Sequence, residues 1–164
     1  MATIVNTLYE MFRDPHVGLN LTADNGSNVL NASNAWLTIK KYPYLQATYD
    51  DARPQVIIGP RKPISSKPLI GSSWYEVHVN VKVTVIVRDW DSNTTGFTLE
   101  DGETTLERLR DAIIACVKAN KSAPYGDKSI NSIWIEDTGQ DISDPSQSPP
   151  LYMTVMGIHG YWLQ

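Results

Sequence analysis

The chain has 164 residues, 41% of them apolar and 20% charged, a balance that supports a buried core and excludes wholesale disorder. Fourteen basic residues against eighteen acidic ones leave a net charge of −4, the opposite of the basic excess expected of a generic nucleic-acid binder. The single cysteine, Cys116, excludes an internal disulfide and a cysteine-based zinc site. At this length one domain is expected, with enough core to need no staple. No stretch reaches the roughly 18 apolar residues of a membrane span. No basic segment precedes an apolar run near Met1, so the chain is expected to be soluble and intracellular at synthesis, without a secretory leader. The sequons at Asn20, Asn25, Asn31 and Asn93 then read as products of an Asn- and Ser-rich composition.

Ile4, Leu8, Met11 and Phe12 recur at helical spacing and are stopped by Asp14-Pro15, which predicts a short amphipathic helix. From Gly18 to Asn34 the residues are largely Asn, Ser, Thr and Gly, which favour turns, so 18–34 is expected to be a loop insertion. Residues 36–40 and 55–58 are short strand candidates. Prolines punctuate residues 59–68, and Arg61, Lys62 and Lys67 are expected to cluster there on a flexible loop.

The clearest signal runs from Trp74 to Arg88. Val77, Val79, Val81, Val83, Val85 and Val87 alternate with His78, Asn80, Lys82 and other largely polar residues. Strict period-two alternation predicts a strand with one buried and one largely solvated face. At about 3.3 Å per residue such a strand spans roughly 50 Å, against a domain diameter of roughly 40 Å. It must project, curl around the core or continue into another sheet.

A helix is expected next, from a capping box of Thr104 and Glu107, with Leu106, Leu109, Ile113, Cys116 and Val117 as its apolar stripe. Strands are expected over 130–135 and 151–162, joined by a polar loop at 136–150 that reads as a second insertion. The fold class is α+β: a mixed or antiparallel sheet with one long strand, packed by two helices, in a single domain spanning 1–164.

No constellation of known catalytic spacing is present. His16, His78 and His159 fall in a loop and on two different strands, with no i, i+4 pair, and His78 is expected to be an ordinary solvated histidine. There is no nucleophile elbow, phosphate loop or dinucleotide-binding glycine pattern, so no catalytic residue, cofactor or metal is assigned. Asp89, Asp91, Asn93 and Glu100 fit positions 1, 3, 5 and 12 of a calcium loop, yet Thr94 stands where glycine is required. A solvated acidic turn explains them as well. Trp74, Tyr75, Trp90, Trp134, Tyr152, Tyr161 and Trp162 gather at strand ends and in the C-terminal strand, where aromatic side chains commonly anchor protein interfaces.

The succession from the N-terminal helix, through the valine strand and its acidic loop, to "TTLERLRDAIIACVKA", "IWIED" and "LYMTVMGIHGYW" resembles the tail terminator (tail completion) proteins of tailed viruses. Related minor tail and head–tail joining proteins share this α+β build. The resemblance implies a non-enzymatic virion protein, assembled in the host cytoplasm. It would form a homo-oligomeric, usually hexameric, ring that caps the tail tube and joins it to the neck or head-completion protein. It also implies that a long strand with unpaired length can extend a neighbour's sheet. Six subunits at −4 each would carry −24, and an acidic lumen would let DNA pass without specific binding. Subunit-interface candidates are Arg61, Lys62, Lys67, His78, Asn80, Lys82, Tyr161 and Trp162. Two alternatives stand beside this reading: a tail-tube or other neck or baseplate subunit, and a calcium- or ligand-binding α+β module.

Overall fold

A computed structural model describes residues 3–19, 37–42, 54–88, 102–144, 146 and 151–164. Helix α1 (Ile4–Arg13) starts where the Thr3 hydroxyl accepts from the Asn6 amide and ends at Asp14, whose successor Pro15 cannot continue it. Strand β1 (Thr38–Lys41) runs parallel to the start of β2 (Gln55–Pro68). Strand β3 (Tyr75–Arg88) returns antiparallel along the whole of β2. Helix α2 (Gly102–Ala119) follows, with Glu103 in its first turn and Lys118 in its last, each favourably placed on the helix dipole. A short 3₁₀ turn (Pro124–Gly126) leads to β4 (Ser132–Asp137), β5 (Asp141–Asp144) and β6 (Leu151–Leu163).

The fold is α+β, a mixed six-stranded sheet with two helices. The strand order is β1-β2-β3-β6-β4, and β5 continues the outer row beside β6. Both helices cover one face: α1 over β1 and β2, α2 over β3, β4 and β6. The odd-numbered valines of β3 point at that layer. Val81, Val83 and Val85 are wholly buried there, packed with Leu8, Met11, Phe12, Leu109, Ile113 and Ile158 in one core. Each such valine contributes roughly 1.5–3 kcal/mol relative to an exposed one. The even-numbered side chains stand on the other face, where Ile57, Ile86 and Leu151 form a smaller apolar patch at one end.

Several expectations need correction. The proline-punctuated segment is a strand: β2 runs unbroken through Gly59–Pro68, across a cis Gly59-Pro60 bond and two register shifts. Arg61, Lys62 and Lys67 therefore sit on β2, opposite Val81, Asn80 and Glu76, and not on a flexible loop. Main-chain pairing with a long partner strand outweighs the turn preference of those prolines, because a proline at an edge leaves its missing N–H facing solvent. The polar stretch 136–150 is not wholly a loop, since β4 reaches Asp137 and β5 pairs with β6. Gly139 makes that join, at φ +85° and so near Thr154 and Val155 that a β-carbon would overlap them. Helix α2 begins at Gly102, two residues before the expected cap. Most of 18–34, together with Trp90 and the acidic-loop residues Asp89, Asp91, Asn93 and Glu100, lies outside the described residues, though Leu19 is buried in the core.

Candidate functional site

The long strand has no unpaired length to offer. Strand β3 pairs with β2 on one side and with β6 on the other, from Glu76 opposite Leu163 to Arg88 opposite Leu151. Tyr75 and Gln164 exchange main-chain hydrogen bonds of 2.7 and 2.8 Å beyond that. The expectation that β3 itself adds to a neighbour's sheet is therefore corrected. Its length is used inside the subunit, in a ribbon of three long strands.

That ribbon outruns the helices. Val79 is the last fully buried valine, and Tyr75 lies about 13 Å beyond it at the usual rise per strand residue. The β2–β3 hairpin closes there through a turn in which the Leu69 amide donates to the Trp74 carbonyl. Ile70, Trp74, Tyr75 and Leu163 are all large, apolar and exposed at this end, with Ile70 entirely in solvent, while Ile64 is exposed further back on β2, level with Val79 and His78. Beyond Ile58, β2 has no strand on its outer side among the described residues. Its residues there include Pro60, Arg61, Lys62, Pro63, Lys67 and Pro68. Prolines and cations of this kind guard an edge against strand addition.

The solvent-side face of the same ribbon carries a second cluster. Asn80 lies opposite His159, and His159 opposite Trp134, so β3, β6 and β4 each deliver polar groups to one spot. His78 Nδ1 is 2.7 Å from His159 Nε2, while His78 Nε2 is 3.0 Å from Glu76 Oε1. His159 Nδ1 lies 3.5 Å from Glu136 Oε2 and makes no hydrogen bond. The Asn80 amide donates to that same Glu136 oxygen. Trp134 stacks flat on His159 at 4.2 Å, and the Tyr161 ring lies 5.0 Å from His78. His159 is buried, which for a polar ring demands partners.

Of the eight interface candidates, His78, Asn80 and Tyr161 meet in this cluster. Lys82 is exposed further along the face, opposite Gly157. Arg61, Lys62 and Lys67 line the open part of β2. Trp162 packs against the helix-side core, because neighbouring positions on β6 point to opposite faces. His78 is half-buried and bonded, which corrects its reading as an ordinary solvated histidine. Sequence alone did not place His159, Trp134 or Glu136 in the site. The alternation of β6 carries the signal for His159, which shares a parity with Tyr161, but only the register puts it beside His78.

Both nitrogens of His78 and the Nε2 of His159 face protein groups at hydrogen-bond distance, so the geometry offers no free nitrogen of His78 to a substrate. Among the described residues no group of three His, Cys, Asp or Glu side chains is placed to hold a metal ion. No described helix is long and apolar enough to cross a membrane. No protein-family model matches the chain, and no curated protein matches its sequence.

Proposed function

We propose that this chain is a non-enzymatic assembly subunit of a virion, a tail terminator that closes into a ring and joins the tail tube to the neck. The observation that carries the reading is the projecting ribbon end, where Ile70, Trp74 and Tyr75 of the hairpin and Leu163 of the neighbouring β6 stand exposed to solvent. An exposed apolar group of this kind marks a protein interface, with Trp74 and Tyr75 as its anchors. The guarded β2 edge favours packing of side chains over strand addition as the mode of contact. A tip that docks into a different surface of the next copy makes a heterologous contact, and such contacts close into a ring when the rotation per subunit divides a full turn. The resemblance to tail terminators supplies the hexamer, the tube and neck partners, and DNA passing through the lumen.

Light scattering on the purified full-length chain, with negative-stain images of the same fractions, tests the proposal. A discrete species of about six subunits, seen as a ring with a central hole, is expected. Open filaments would transfer the chain to the tail-tube reading. A monomer at every concentration reached would overturn ring formation by the free protein.

A further inference from the structure

Three strands meet at the His78–His159 contact, and the protons available to it are few. The gap of 2.7 Å between His78 Nδ1 and His159 Nε2 holds one hydrogen, donated by one ring and accepted by the other. With both rings neutral, one outer nitrogen is left bare before a carboxylate. If His159 donates, its Nδ1 is the bare one, facing Glu136; if His78 donates, its Nε2 faces Glu76 as acceptor against acceptor.

One added proton removes that mismatch. The chain then runs Glu136, H–Nδ1 of His159, the shared hydrogen, His78 Nε2–H, Glu76, with a carboxylate at each end. A second added proton puts a hydrogen on both facing nitrogens, and the 2.7 Å contact cannot survive. Trp134 stacked on His159, and Asn80 fixing the Glu136 carboxylate, tie this proton count to the seating of β4 on the ribbon.

We propose that His78 and His159, bracketed by Glu76 and Glu136, form a proton-sensitive latch that fastens β4 to the β3–β6 ribbon and opens when both rings become charged. The groups facing the pair are Glu76 from β3, Glu136 from β4 and the Tyr161 ring from β6, with Lys67 of β2 opposite Glu76 and Lys62 of β2 opposite Asn80. Lys82, the nearest cation along that face of β3, is exposed and lies beyond Asn80. The latch stands on side-chain geometry alone, whether or not the chain forms a ring.

Long-range nitrogen NMR on the labelled full-length protein follows the ring nitrogens of both histidines from about pH 8 down to about pH 5, the interval in which histidine charges. The nitrogen signals of His78 and His159 are expected to change together, as one coupled pair, because the two rings share a single hydrogen. Protection of the β4 amides, referred to their intrinsic exchange at each pH, should fall only once both rings are charged. His78→Gln, at the more exposed of the two rings, should leave the His159 signals to change alone and abolish the acid-dependent loss of β4 protection. Independent one-step titration of the two rings would overturn the proposal. So would coupled titration with β4 protection unchanged throughout.

Discussion

The side chain of Ile4, in the first turn of α1, lies directly over Gly160 of β6. A β-carbon at Gly160 would overlap Ile4 Cδ1, so the helix approaches the sheet through the space that glycine leaves. Ile4 is buried at the edge of the core and has little room to retreat. Gly160→Ala should therefore destabilise the fold by about 1–3 kcal/mol, the usual cost of overpacking. Ile4→Val deletes the clashing methyl and alone costs about 1 kcal/mol. Urea denaturation of the two single variants and the double variant gives the coupling. The double variant should be more stable than the sum of the single losses predicts; strict additivity would show that the two residues do not touch.

Val81 and Lys82 are neighbours on β3 and live in different media. Val81 is wholly buried under the helices, while Lys82 is exposed on the far face. Val81→Asp places a carboxylate among apolar side chains with no partner, at a cost of several kcal/mol, and should prevent folding. Lys82→Glu should keep the native circular dichroism spectrum and change stability by about 0.5 kcal/mol or less. Two variants of equal solubility and melting temperature would contradict the assignment of faces.

The valines of β3 made its buried face legible because the alternation is strict and the residues β-branched. Both helices were legible from their apolar spacing. Strand β2 was legible only at its start, over 55–58; its continuation to Pro68 was not, since its prolines and cations signal a loop and only the long partner strand holds them extended. The same limit hid the histidine cluster. His78 and His159 are 81 positions apart, and a parity rule says which face each occupies but not which residue lies opposite. Glu136 was lost for a simpler reason: β4 continues into a stretch whose composition is that of a turn.

Cys116 is buried on α2, with its thiol donating to the Val17 carbonyl at 3.3 Å. Burial pushes the thiol's ionisation up to about 11. The unfolded chain therefore loses this proton first, so the thiol's contribution is whole below about pH 9 and falls away as pH rises toward 11. Within that window the loss is at most about 1.4 kcal/mol per pH unit. Compared with Cys116→Ala, the native protein should show the steeper decline in stability over the alkaline range. A thiol reagent at about pH 8, below the ionisation of an ordinary cysteine, should react only once denaturant is added. Prompt labelling of the folded protein would contradict the burial.

The hairpin end separates folding from assembly. Ile70 lies in the turn, fully in solvent, and Trp74 is more than half exposed beside it. Ile70→Ser and Trp74→Ser remove the anchor area while leaving the core intact, so each should melt within about 0.5 kcal/mol of the parent. If the projecting end is the contact between copies, losing a central aromatic anchor costs about 2 kcal/mol or more per interface. A closed ring repeats that loss at every contact. Sedimentation at matched concentrations should then show the Trp74→Ser variant as monomer wherever the parent is a ring, with Ile70→Ser intermediate. Arg61→Glu, on the guarded edge of the same hairpin, should respond differently, through the salt dependence of association more than its extent, because an exposed charge contributes little to affinity. Intact rings in both serine variants would move the contact away from the hairpin and onto another surface of the subunit.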